Sequence, residues 1–237
     1  MGNAHVIRHL PGRSGIGVTS IRLVAFDLDG TLIDSRRDLA DSANEMLASY
    51  GAPPLADEAI VRMVGAGAAQ LVARALAAAH VAAPVDDALT RFLAMYDHRL
   101  THYTRPYDGV PETLERLEAG PLAMALVTNK PLDQSIHILE AFDLLKYFRW
   151  RIGGDGPWPR KPAPDGLQSV MREASAENSA TLLVGDSAVD LQTGRNAGVR
   201  ICLARYGFGF ADIAAGALAG DEVIVDSPGE ILDAVLR

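Results

Sequence analysis

A single cysteine, Cys202, stands in this chain of 237 residues, so no disulfide can form within it. It falls in the apolar run 199–203, where a buried strand residue is the expected role. Lysine is nearly as scarce, with three against nineteen arginines, and none lies between residues 35 and 105. No stretch approaches the roughly 18 consecutive apolar residues of a membrane-spanning helix. A basic surplus is missing too. The formal net charge of −8 argues against nucleic acid or an anionic membrane surface as a partner. It does not argue against a small anionic ligand, because the field inside a site is set locally by metal ions and individual lysines. Residues 1–20 contain no acid and no continuous apolar segment of the kind a secretory signal needs. They are expected to form a disordered tail, and the expected location is the cytoplasm.

What the chain does have is an ordinary globular composition, 49% hydrophobic and 22% charged, long enough for a core domain carrying an insertion. Residues 22–31 are the most informative stretch. A short apolar run rich in strand formers stops abruptly at Asp27, Leu28, Asp29 and Gly30. Ligands of open α/β sheets bind at the carboxyl ends of the strands, and two acids two residues apart on an extended chain face the same side. An acidic calcium loop is the competing reading. It would need glycine at the sixth position and glutamate at the twelfth. Counted from Asp27 those positions hold Leu32 and Asp38, so that reading fails.

Beyond residue 106, strand-like runs near 122–127, 181–185, 199–203 and 223–226 alternate with helical patterns near 111–119, 132–142, 165–175 and 188–197. With residues 22–27 as the first strand, this alternation predicts an α/β fold with a doubly wound parallel sheet. The segment between reads differently. Residues 37–50, 56–64, 68–79 and 86–103 are rich in alanine and leucine at helical spacing, with no convincing strand among them. The expected organisation is therefore a core domain of residues 21–35 and 106–237 and an inserted all-helical cap of residues 36–105. Joints are expected near Ser35 and Arg36 and across residues 105–109, where proline and glycine suit a hinge.

Three further clusters follow the first acidic pair. The run 122–127 ends in Thr128, Asn129 and Lys130; Arg160, Lys161 and Pro162 form a basic turn; the run 181–185 ends in Asp186 and Ser187, with Asp190 one helical turn on. In this order the four clusters resemble the motifs of haloacid dehalogenase (HAD) superfamily phosphatases, spanning residues 21–190. Residues 27–35, 64–68, 127–130, 153–155 and 184–187 narrow the resemblance to phosphoglycolate phosphatases. It implies a magnesium-dependent phosphomonoester hydrolase acting on a small phosphorylated metabolite, 2-phosphoglycolate first, with a monomer and a homodimer both left open. Asp27 is then the expected nucleophile and Asp29 the general acid and base. The implied magnesium ligands are the Asp27 and Asp186 carboxylates and the Asp29 carbonyl, with Asp190 supporting them through water or Lys161. Thr128 and Lys161 are implied to hold phosphate and Asn129 to lie near it; Lys130 matches the pattern too, and as a residue it is expected to face solvent. Gly65 and Gly67 match the cap loop that approaches the substrate; the family often has a polar residue where this chain has Ala66. Arg62 and Arg74 flank that loop and are expected as exposed helix residues. His98 and His102, four apart without a glutamate between them, are expected to serve packing or solvation rather than a metal. Asp29 argues against a dehalogenase, which needs no proton donor for a leaving alcohol. The absence of lysine from residues 35–105 argues against a phosphonoacetaldehyde hydrolase, which uses a cap lysine. A sugar-phosphate mutase, or a phosphatase for a sugar phosphate or nucleotide, stays open as an alternative.

Overall fold

A computed structural model describes residues 20–236 of the chain. The expectation of a disordered tail therefore falls, Ser20 apart, outside the described residues. In chain order, β1 (Leu23–Phe26) and the two-residue β2 (Ile33–Asp34) lead into four helices, α1 (Arg36–Ala48), α2 (Asp57–Val61), α3 (Ala68–Ala78) and α4 (Val85–Asp97). The chain returns through β3 (Arg105–Pro106) and continues as α5 (Val110–Glu118), β4 (Ala123–Val127), α6 (Leu132–Ala141), β5 (Trp150–Ile152) and α7 (Asp165–Ala174). It finishes with β6 (Thr181–Gly185), α8 (Ala188–Ala197), β7 (Arg200–Ala204), β8 (Val223–Val225) and α9 (Ile231–Leu236).

Six strands form one parallel sheet in the order β5-β4-β1-β6-β7-β8. β1 lies at its middle, with Leu23 opposite Ala123 on one side and Thr181 on the other. Its four residues are completely buried, as expected of a parallel strand covered on both faces. The period of two divides them. Leu23 and Ala25 pack with Val127, Leu167, Val170 and Leu183 on one face, while Val24 and Phe26 pack on the other with Phe148 and Leu126. The second cluster is continuous with Leu39, Leu71, Phe92 and Tyr96 from the four inserted helices. No described helix is long and apolar enough to cross a membrane.

The parallel sheet, the five core strands read from the sequence and the four core helices are as expected, to within a residue or two. Several features are not. β5 escapes sequence reading because it has three half-buried residues, one of them an arginine, at the sheet edge. α9 was not expected either. β2 and β3 form a short antiparallel pair, Ile33 opposite Pro106 and Asp34 opposite Arg105, where only joints were expected. α2 ends at Val61 rather than at residue 64, ahead of Gly65 and Gly67, whose φ angles of 108° and 91° no helix accepts.

The expected helix over 86–103 also stops early, at Asp97, and residues 98–103 form turns. Asp38 supplies the reason. Its fully buried carboxylate accepts the Tyr103 N–H at 2.9 Å, the Thr104 N–H at 2.7 Å and the Thr104 hydroxyl at 2.7 Å. Those amides therefore point at α1 instead of back along a helix. Asp38→Ala should leave these donors buried without partners and cost about 2–3 kcal/mol. Urea unfolding measures this; an unchanged midpoint would show that the carboxylate does not tie the two segments together.

Candidate active site

Three strands of the sheet deliver their carboxyl ends to one place. β1 runs into Asp27 and Asp29, β4 into Thr128, Asn129 and Lys130, and β6 into Asp186. The Asp27 N–H continues the ladder to the Val184 carbonyl at 2.9 Å, and the Thr128 N–H reaches the Ile152 carbonyl at 2.9 Å. Gly30 turns the chain sharply after the acids, at φ 87°, and a Cβ there would lie 2.0 Å from Asp186 Oδ2. Only glycine lets this turn and the Asp186 carboxylate share the space.

Asp27, Asp186 and Asp190 bring carboxylate oxygens within 4.8 Å of one another, all three buried. The nearby Lys161 ammonium, also buried, donates to Asp190 Oδ1 at 2.6 Å and lies 2.9 Å from Asp27 Oδ1. The second approach is an ion pair rather than an aligned hydrogen bond, and Asp27 Oδ1 has no hydrogen-bond partner. Burial pushes the Asp27 carboxyl up to about 6 against the pull of Lys161, with Asp190 adding to the rise. Burial, then Asp190 and Asp27, push Asp186 well above the usual carboxylate range. Burial opposes the charge on Lys161, but Asp190 and Asp27 outweigh it and hold that group above the usual lysine range. Asp190 is itself fixed by a capping box at the start of α8. Its carboxylate accepts the Ser187 N–H and hydroxyl, while the Ser187 hydroxyl accepts the Asp190 N–H. The Gly209 N–H donates to Asp186 Oδ2 at 2.8 Å.

Asp29 faces a different set of partners. Lys130 Nζ lies 3.0 and 3.1 Å from its two oxygens, and the Ser35 hydroxyl donates to it at 2.6 Å. Lys130 also donates to Tyr96 Oη at 2.6 Å, which links a loop after β4 to the last turn of α4. Burial opposes the charge of Lys130, but Asp29 and Tyr96 hold it above the usual lysine range. Asn129 clasps two further segments. Its amide donates to the Gly65 carbonyl at 3.0 Å and the Lys161 carbonyl at 2.9 Å, and its oxygen accepts the Lys161 N–H at 2.8 Å. A cavity opens between these groups and the inserted helices, with Asp27, Asp29, Thr128, Gly65 and Gly67 on its wall.

Asp27, Asp29, Thr128, Lys161, Asp186 and Asp190 thus lie together at one edge of the sheet. The clustered carboxylates are those of Asp27, Asp186 and Asp190, while the carboxylate of Asp29 is turned to Lys130 and Ser35. One expectation is corrected outright. Lys130, expected to face solvent, is 6% exposed because Asp29 and Tyr96 enclose its ammonium. Tyr96 and Ser35 were missed as well. Tyr96 reads as one more apolar position in a helix, and it does stack on Phe92. Lys130 had a signal, being one of only three lysines in an arginine-rich chain. Arg62, Arg74, His98 and His102 are exposed and absent from this cavity wall.

The donor set fits a divalent cation. Three buried carboxylates face one ammonium, and Asp27 Oδ1 is left without a hydrogen bond. Hard oxygen donors of this kind suit magnesium-like ions, and positive charge would relieve the rise in the Asp27 and Asp186 carboxyls.

A parallel doubly wound sheet with paired acids after its central strand, a threonine after the next and a lysine pairing with a distal aspartate defines a hydrolase class. Residues 24–204 match the model of the haloacid dehalogenase-like hydrolases, and the chain belongs to that family. A phosphoglycolate phosphatase of Pseudomonas fluorescens is 40% identical over 219 residues, which cover 90% of this chain and 76% of that protein. Another, from Vibrio parahaemolyticus, is 35% identical over 91% of this chain and 96% of its own length. Among solved structures, one described as a predicted phosphoglycolate phosphatase from Haemophilus somnus is similar at TM-score 0.86 and 30% identity. The match covers 92% of this chain and 99% of that one.

The charge excess sets a pH dependence. A carboxyl raised from 3.8 to about 6 by folding destabilises the folded state once the unfolded chain ionises, so stability is lost as pH climbs from about 4 through 6. In chelator, the melting temperature of the wild type minus that of Asp27→Asn should fall across this window and level off above it. Magnesium at pH 7 should raise the wild type more than the variant. A difference flat with pH would remove Asp27 from the strained cluster.

Proposed function

We propose that this protein is a magnesium-dependent phosphomonoesterase that hydrolyses 2-phosphoglycolate through an aspartyl-phosphate at Asp27. The observation that carries the reading is the convergence of Asp27 and Lys161 in one buried cluster, with Asp29 held two residues on by Lys130 and Ser35. The names of the relatives support the choice of ester. In this reading Asp27, the Asp29 carbonyl and Asp186 hold the ion, and Asp190 fixes Lys161 beside it. Magnesium, when bound, neutralises charge on the phosphoryl oxygens and on the nucleophile.

Asp27 attacks phosphorus in line with the ester oxygen, and the bond from phosphorus to that oxygen breaks. Asp29 gives its proton to the departing alcohol oxygen. A water then attacks the aspartyl-phosphate, Asp29 takes its proton back, and the Asp27–phosphorus bond breaks to free phosphate and the carboxylate. The Thr128 hydroxyl and Lys161 hold the remaining phosphoryl oxygens, where charge accumulates during transfer.

Residues 36–105 act as a cap over the core formed by residues 21–35 and 106–237. The β2–β3 pair is the two-stranded crossing between them. Hydrogen bonds from Asn129 to Gly65, from Lys130 to Tyr96 and from Gln134 to Asp97 close the seam. The cap contributes Leu39, Val64, Leu71 and Phe92 to the cavity. Among the described cap residues on that wall only Tyr96 carries a polar side chain, too few partners for the several hydroxyls of a hexose, which favours a short ester over a sugar phosphate.

Phosphate release from a panel of monoesters, with magnesium and with chelator, tests the reading. Release is expected from 2-phosphoglycolate far above hexose phosphates, nucleotides and an aryl phosphate, and only with the metal. Asp27→Asn should abolish it and Asp29→Asn should slow it roughly 10²–10⁴-fold. Full activity of Asp27→Asn would overturn the mechanism, and equal release from every ester would overturn the substrate.

A further inference from the structure

Two features of the cavity take no direct part in the bond-making and bond-breaking steps. The first is its charge. Among the described residues lining it, Lys130 carries the only positive charge, and this ammonium is held on the same wall as Asp29 rather than on the cap. The second is Tyr96. Its oxygen accepts the Lys130 hydrogen bond at 2.6 Å, which leaves its own hydroxyl proton to donate, and no acceptor for that proton occurs among the hydrogen bonds of the described residues. The hydroxyl is buried, where an unused donor is costly.

A dianionic phosphate with a second, carboxylate charge needs a second cation. Lys161 is already shared between Asp190 and Asp27. Arg62 and Arg74, the cationic side chains flanking the cap loop, are exposed, and Arg74 donates to the Met63 carbonyl instead. We propose that Lys130 and Tyr96 together form the receptor for the carboxylate of the leaving group, and so select a 2-phosphorylated short carboxylic acid. This rests on the reading of the site as a phosphoglycolate phosphatase.

Distance supports the assignment. In such an ester one methylene separates the bridging oxygen from the carboxylate carbon. A group that protonates the bridging oxygen therefore lies close to the carboxylate as well. Asp29 is the group assigned to that oxygen, and Lys130 Nζ is 3.0 Å from it. One lysine can thus bridge the acid and the carboxylate, a charge-assisted contact, while the Tyr96 hydroxyl donates from the cap side. Because Tyr96 belongs to α4, the carboxylate would bind to core and cap at once, and only with the cap in place. The same cavity wall carries Leu39, Leu71 and Phe92, apolar side chains that offer no partner to longer polar groups.

The experiment compares 2-phosphoglycolate with ethyl phosphate, in which a methyl replaces the carboxylate, using the full chain with magnesium. Wild type, Lys130→Met and Tyr96→Phe are assayed, with thermal melting as the folding control. The expected result is a ratio of kcat/KM values, glycolate ester over ethyl ester, that falls about 10- to 100-fold in Lys130→Met. The Tyr96→Phe variant keeps the ring on Phe92 and should lower the ratio by severalfold, mostly through KM. If both esters lose the same factor in Lys130→Met, the lysine only holds Asp29, and the proposal is overturned. Should that variant fail to fold, Tyr96→Phe decides, and an unchanged ratio there overturns the receptor. These failures leave the wild-type preference for 2-phosphoglycolate intact. A wild type that hydrolyses ethyl phosphate equally well overturns the substrate assignment itself, and the receptor with it.

Discussion

Everything at the sheet edge depends on one shared ammonium. Lys161 sits between Asp190 and Asp27 in a pocket where Asp186 adds a third carboxylate. Three acids against one base is an arrangement that burial penalises heavily, and the raised Asp27 and Asp186 carboxyls record that penalty. A fold built only for stability would not bring these groups together. The parallel sheet does so because β1 lies between β4 and β6, so that three loops converge at their carboxyl ends. Capping of α8 through Ser187 and Asp190 then fixes the partner of Lys161 by ordinary helix chemistry.

Glycines and backbone turns make room for that density of charge. Gly30 passes so close to Asp186 that no side chain fits, and Gly207 would place a Cβ 2.4 Å from the same residue. On the opposite side, the seam to the inserted helices is polar where it meets the site and apolar behind it. Asn129, Lys130 and Gln134 each bond to a residue of the helical insertion. The packed cluster of Leu39, Leu71, Phe92 and Tyr96 is continuous with the core under the sheet. A seam of this kind couples the position of the helices to the orientation of Asp29, since Tyr96 and Asp29 share one lysine.

Much of this was legible in the sequence because each strand of the site announces itself twice, as an apolar run and as the polar residues that end it. Asp27, Asp29, Thr128 and Asp186 follow that rule, and all lie where the pattern put them. Lys161 is scarce enough to notice, but only the family resemblance implied a place for it beside phosphate. What escaped were features whose signal lies in tertiary contact. Lys130 reads as a surface residue because nothing local shows that Asp29, 101 residues earlier, and Tyr96 will enclose it. The end of α4 at Asp97 is set by Asp38 from another helix, so helical spacing alone overruns it. β5 is too short, and too exposed at its edge, to carry a period of two. The β2–β3 pair has two residues a side and is defined only by its partner.

The claim at the centre of the account is that Asp27 carries the phosphoryl group. Rapid quenching of wild-type protein with 2-phosphoglycolate and magnesium, followed by borohydride reduction and peptide mass mapping, tests it directly. An aspartyl-phosphate at position 27 is reduced to homoserine there, and the account predicts that product at residue 27 alone. Turnover without any reduced residue, or with reduction at Asp29, Asp186 or Asp190 instead, would contradict it.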